Sequence, residues 1–281
     1  MKKHRLSGTV LERFRRYLIS EEKSSATVQK YCHDAALFYQ KVGKQPVTKE
    51  AVIAYKNDLK SGEYATRSVN SIIASLNSLF SFLGWPEYRI RTIKVQQKAF
   101  CAEEKELSKP EYEKLVRTAR ECHEDRLGLI IETICGTGIR ISELSSFTVE
   151  AVRKGEVTVS CKGKTRTVFI VKELQKRLLA YARENRIQSG TVFITRTGKP
   201  VSRTNVWRDM KILCKKAGVN PSKVFPHNLR HLFARVFYSI HKDLAKLADI
   251  LGHSNINTTR IYIVSSGIEH RRYLESMRLI I

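Results

Sequence analysis

Residues 65 to 85, ATRSVNSIIASLNSLFSFLGW, place an apolar side chain at every third or fourth position without interruption, and an α-helix puts that spacing on one face. The run stops before Pro86, whose ring cannot continue a helix. Three earlier segments share the period. Residues 8 to 22 place Val10, Phe14, Tyr17 and Leu18 on one stripe with Arg13, Arg15 and Arg16 among them. VQKYCHDAALFYQKV follows Ser24 and Ser25, either of which can cap it, and EAVIAYKNDLK follows Thr48 and ends at Gly62.

The texture changes after residue 92: RTIKVQQKAFCAEEKEL is charged and has little apolar period, as expected of an extended linker. Ser108 and Pro110 then open a helix, SKPEYEKLVRTAREC, and DRLGLIIETICGTG reads as the next. A short helix, ISELSSF, follows Arg140. Residues 156 to 171, EVTVSCKGKTRTVFIV, alternate like two strands about a Lys-Gly-Lys turn. Helical spacing returns at Glu173, broken by VFIT and by Gly198 with Pro200. The expected architecture is mainly α with a small β component. An all-helical, four-helix domain spans residues 1–95, a linker 96–106, and a mostly helical domain with one small antiparallel sheet 107–281.

Charge narrows the class of partner. The chain holds 51 Lys and Arg against 27 Asp and Glu, a net +24 over 281 residues. Through residue 98 the count is 18 basic and 8 acidic, so the first third carries +10 and the remainder +14. A basic excess spread over two folded parts is the electrostatic footprint of a nucleic-acid-binding protein. An anionic membrane is the rival surface, but no stretch approaches a spanning length and no apolar signal region opens the chain. A soluble, cytoplasmic protein associated with the nucleoid is expected.

The six cysteines, Cys32, Cys101, Cys122, Cys135, Cys161 and Cys214, form no C-x-x-C pair and read as reduced thiols. His227 and His231 have a helical zinc spacing, but Asn228 stands where a metalloprotease carries Glu, and no third ligand is set apart. His231 reads as packing or as support beside a phosphate. No metal and no nucleotide cofactor is expected, and no G-x-x-x-x-G-K-[ST] loop occurs.

Five segments of the second domain carry candidate chemistry: Arg140 in GTGIRISEL, Lys162 in CKGKTR, His227 and Arg230 in HNLRH, His253 in LGHSN, and Tyr262 in TTRIY. Together these residue types meet the needs of attack on a phosphodiester. Charge grows on the phosphorus centre as it becomes pentacoordinate, and guanidinium groups meet that charge with paired hydrogen bonds at any useful pH. A phenol attacks once its proton is accepted or its oxyanion is stabilised, and a lysine can protonate the departing 5′ hydroxyl. His227 and Arg230 are three residues apart, so one helix face presents both.

These segments, in this order, resemble the tyrosine recombinase family, particularly its short Xer-like and simple integrase members. The signature L-G-H-x-x-x-x-T-T-x-x-Y is present as LGHSNINTTRIY. The resemblance extends over the whole chain and implies a helical core-binding domain joined to a catalytic domain in a clamp around DNA. It assigns Tyr262 as the nucleophile, Arg140 as the first catalytic arginine, Lys162 as the lysine of the strand turn, His227 and Arg230 as the H-x-x-R pair, and His253 as the remaining histidine. Lys164 competes with Lys162 as general acid, and Cys161 replaces a common glycine. Glu143 is expected to buttress Arg140 or a nearby histidine, with a solvated helix acid as the alternative.

The activity implied is site-specific recombination of double-stranded DNA at inverted-repeat core sites, through a 3′-phosphotyrosyl link and a Holliday junction, by a dimer on each site and a tetramer in the synapse. An accessory protein is left open. Integration, excision, inversion and dimer resolution fit equally, although the lack of an arm-binding domain favours a simple recombinase. The C-terminal IEHRRYLESMRLII reads as an amphipathic helix docking on a neighbouring subunit or on its own domain. A catalytically degenerate DNA-binding regulator, a type IB topoisomerase and a metal-dependent nuclease or transposase are the competing readings.

Overall fold

The chain divides into two units, Met1–Gln97 and Lys98–Ile281. The computed structural model describes residues 4–43, 45–94, 106–161, 164–260 and 275–277. Most of the 96–106 segment, Cys101, Lys162, Tyr262 and nearly all of the C-terminal helix segment lie outside these residues.

In the first unit, α1 (Gly8–Ser20), α2 (Ser25–Val42), α3 (Lys49–Ser61) and α4 (Thr66–Phe82) close around Phe14, Leu18, Phe38, Ile73, Leu76, Leu79 and Phe80. The Ser24 and Thr48 side chains accept from the backbone N–H groups of Thr27 and Ala51, so both caps expected from sequence form. One buried charge interrupts this core. Asp34 accepts from Ser75 Oγ at 2.6 Å and pairs with Lys30 at 2.5 Å, which satisfies a carboxylate that would be costly alone.

The chain leaving α4 is pinned to the helices behind it. Asn77 and the backbone of Ile90 exchange two hydrogen bonds of 2.8 and 2.9 Å, and Asn70 and the backbone of Ile93 exchange two of 2.9 and 2.8 Å. Lys49 donates to the carbonyls of Glu87 and Arg89, and Lys56 to that of Arg91. Side-chain amides thus replace a missing strand partner for an extended backbone.

In the second unit, α5 (Lys109–Glu121) opens with a capping box between Ser108 and Glu111, and α6 (Asp125–Thr137) ends at Gly138 with φ +65°. The short helix expected at ISELSSF forms over Ile141–Ser146 and is of the 3-10 kind. Glu143 holds it tight: its carboxylate accepts from the Arg140 N–H and pairs with two guanidiniums.

After α7 (Val149–Lys154), strands β1 (Glu156–Cys161) and β2 (Lys164–Phe169) pair antiparallel, with Val157 opposite Val168 and Val159 opposite Arg166. Then come α8 (Lys172–Glu184), α9 (Arg203–Ala217), α10 (Pro226–His241), α11 (Leu244–Leu251) and α12 (Ile256–Arg260). The VFIT segment is irregular and carries isolated bridges, Thr148 with Thr191 and Ile194 with Pro200. The main core is built from α5 to α10 and the hairpin, and a small second cluster of Ala234, Leu247 and Leu251 joins α10 to α11. Among the described residues no helix is long and apolar enough to cross a membrane.

Candidate active site

Three elements distant in sequence meet at the C-terminal end of α11. Arg230 lies in the first turns of α10 and is almost fully buried. Its Nη1 donates to the Gly138 carbonyl at 2.5 Å, and its Nη2 to the Leu251 carbonyl at 2.7 Å. Arg140 precedes the 3-10 turn, and its Nη1 lies 3.5 Å from the same Leu251 carbonyl. The exposed carbonyls at a helix C-terminus carry partial negative charge, so α11 orients both cations with its last turn.

Gly138 is required there. A Cβ on it would stand 2.5 Å from the Phe233 ring, and its positive φ disfavours other residues.

His253 completes the cluster. Its Nε2 is 2.9 Å from Arg230 Nη2, and its Nδ1 is 2.8 Å from the Thr259 hydroxyl. An arginine only donates, so Nε2 accepts and the proton sits on Nδ1, facing Thr259. Burial, followed by the charges of Arg230, Arg140 and Arg166, pushes the His253 pKa down to about 4, so the ring is neutral at physiological pH. His227, on the first turn of α10, is likewise lowered by burial and by Arg230, Arg140 and Arg203. His231 packs edge-on against His227 with centroids 4.6 Å apart; burial and then His227, Arg235 and Arg230 push it down to about 3.

One carboxylate balances the cations. Glu143 is buried and receives two hydrogen bonds of 2.8 Å from Arg166 and one of 3.1 Å from Arg140 Nη1. Burial alone would raise its pKa, but the Arg166 hydrogen bonds, the Arg140 N–H and both guanidinium charges hold it below the usual carboxylate range. Two guanidiniums share this one carboxylate and a third, Arg230, sits beside His253, so the cluster is net positive, which suits a phosphodiester. Among the described residues no three His, Cys, Asp or Glu are grouped to hold a metal ion.

The phage integrase family model matches residues 105–267, more than half of the chain, and the model of the phage integrase N-terminal SAM-like domain matches residues 11–87. The chain belongs to the phage integrase family, the tyrosine recombinases. A similar curated relative is tyrosine recombinase XerA of Pyrococcus furiosus, 31% identical and aligned over 99% of each chain. The fold of this recombinase is similar to that of the Tn1549 transposon integrase in complex with circular intermediate DNA, at TM-score 0.73 and 17% identity, covering 95% of this chain and 98% of that one. It is also similar to a lambda integrase tetramer bound to a Holliday junction, at TM-score 0.71 and 20% identity, covering 90% of this chain and 76% of that one.

The recombinase thus brings Arg140, Arg230 and His253 into one cluster, with His227 beside Arg230 on α10. Lys162 and Tyr262 lie outside the described residues, and so does the turn that sets Lys162 against Lys164.

Sequence reasoning missed Arg166 and Thr259. A signal for Arg166 was available: with Val157, Val159 and Val168 buried, strand alternation puts an apolar residue at 166, and an arginine stands there. Thr259 is buried within the LGHSNINTTRIY signature, where only the histidine and tyrosine drew attention.

Proposed function

We propose that this recombinase recombines double-stranded DNA at specific sites, with residues 1–95 as core-binding domain, 96–106 as linker and 107–281 as catalytic domain. The observation that carries the assignment is the convergence of Arg140 and Arg230 on the Leu251 carbonyl, with His253 on Arg230. Two guanidiniums and a neutral imidazole that can exchange a helix carbonyl for phosphate oxygens form a cradle for a pentacoordinate phosphorus centre.

In the proposed reaction, the Tyr262 oxygen attacks the scissile phosphorus and its proton passes to a neighbouring imidazole or to solvent. The P–O5′ bond breaks, and Lys162 gives its proton to the departing O5′. The phosphotyrosine keeps the bond energy, so the 5′ hydroxyl of a partner strand can reverse the step on a new duplex. A second exchange resolves the resulting Holliday junction. A protomer on each half of an inverted repeat and four in the synapse fit a strand exchange between two duplexes, and the lambda integrase neighbour was solved as such a tetramer.

The test begins with a core site selected from randomised duplexes by binding. A version nicked next to the scissile phosphate is then incubated with the protein. A covalent protein–DNA band is expected with the parent and none with Tyr262→Phe. A degenerate binder would trap no band, and a topoisomerase would relax supercoils without joining two sites. A metal-dependent nuclease would stop in chelator, where activity is expected to persist.

A further inference from the structure

Arg166 is the most fully engaged side chain near the site for which the reaction above has no use. Its side chain is 13% exposed, and each of its three nitrogens has a partner. Nη1 and Nη2 grip the two oxygens of Glu143 at 2.8 Å each, and Nε donates to the Ile250 carbonyl at 3.0 Å. One guanidinium therefore joins three pieces of chain: strand β2, the turn behind Arg140, and the end of α11 just before His253.

This side chain runs close against a glycine. Gly252, between Leu251 and His253, has φ +64°, and a Cβ there would stand 2.8 Å from Arg166 Cδ and 3.2 Å from its Nε and Nη1. The glycine of the LGH segment thus serves the arginine of a different segment. Within the hairpin, Arg166 faces Val159 and lies four residues beyond Lys162. Glu143, in turn, is anchored to Arg140 through both its backbone N–H and its guanidinium.

We infer that Arg166 is a positioning residue for leaving-group protonation: through Glu143 it registers strand β2, which follows Lys162 in the sequence, against Arg140 and so against the phosphate that Arg140 would hold. The inference rests on the assignment of Lys162 as general acid. A bidentate fork between buried groups fixes both distance and plane, which a point charge cannot do. Arg140 keeps its own bonds to Glu143 and Leu251 without Arg166, so phosphate binding depends on Arg166 less than the hairpin does.

Two suicide substrates test this, one with the natural bridging 5′ oxygen and one with sulfur in its place. A thiolate leaves without a proton, so loss of the general acid slows only the oxygen substrate. The quantity read is the ratio of the sulfur rate to the oxygen rate within each variant, which does not depend on how much of the sample is folded. Arg166→Lys and Arg166→Gln are each expected to raise this ratio at least tenfold over the parent while DNA affinity changes less than threefold.

Lys162→Ala separates the two layers of the argument. If it leaves the ratio at the parental value, the general-acid assignment fails. If it raises the ratio and both Arg166 variants do not, Lys162 stands as the acid and the positioning role of Arg166 is overturned.

Discussion

Arg230 Nη2 and His253 Nε2 lie 2.9 Å apart, and this contact fixes the protonation state of both partners. The guanidinium can only donate, so the imidazole must be neutral and accepting at that nitrogen. A ring held in this state acts beside a phosphate as a proton acceptor or neutral donor and adds no third permanent charge.

Replacing Arg230 by lysine keeps the charge but removes the fork that reaches Gly138, Leu251 and His253 together. Cleavage of a suicide substrate is expected to fall by about 10²–10³-fold, the scale for loss of one preorganised charge donor. The buried Gly138 carbonyl, left without this donor, costs about 1–3 kcal/mol of stability, measurable by urea unfolding.

Acid should destabilise the second unit. An unfolded histidine takes a proton near its ordinary value of 6.5, whereas folded His253 refuses one until about 4. Protons therefore favour the unfolded chain, so stability is complete above about pH 7 and is lost as pH falls towards 4. After discounting for partial exposure, His253 alone contributes a loss of about 1–2 kcal/mol between pH 7 and pH 5. Urea midpoints at the two pH values check this, and His253→Gln is expected to shrink the difference.

Gly138→Ala combines an unfavourable positive φ with a clash of 2.5 Å against Phe233. A loss of about 2–3 kcal/mol is expected from strain and overpacking together. Because the Gly138 carbonyl holds Arg230, covalent adduct formation should fall as well. Denaturation and suicide-substrate trapping on the same preparation report both effects.

The net charge of +24 implies strongly salt-dependent binding. With six or more phosphates neutralised, affinity is expected to drop about 10³-fold between 50 and 200 mM monovalent salt. A titration at several salt concentrations gives the slope; a nearly flat line would contradict a mainly electrostatic grip.

Asn77→Ala removes both hydrogen bonds that hold Ile90 to α4. The first unit should lose about 1–2 kcal/mol, and the Ile90 amide should exchange with solvent much faster than in the parent. Hydrogen exchange at that amide is the direct measurement.

Local patterns were enough for much of the architecture. The four helices of residues 8–82, the caps at Ser24, Thr48 and Ser108, and the β1–β2 pairing all follow from spacing and turn chemistry acting within a few residues. That the short helix after Arg140 is 3-10 did not follow, because the Glu143 that holds it is also gripped by Arg166, twenty-three residues beyond Glu143.

By itself, then, the sequence determined the helical periods, the basic surface, and which residue types could perform phosphoryl transfer, since these depend on side-chain chemistry and neighbours along the chain. Only the tertiary structure decided which groups meet. It carried Arg140 and Arg230 to one carbonyl at the end of α11, set the tautomer of His253, and enlisted Arg166, because buried charges settle where partners from distant segments can satisfy them.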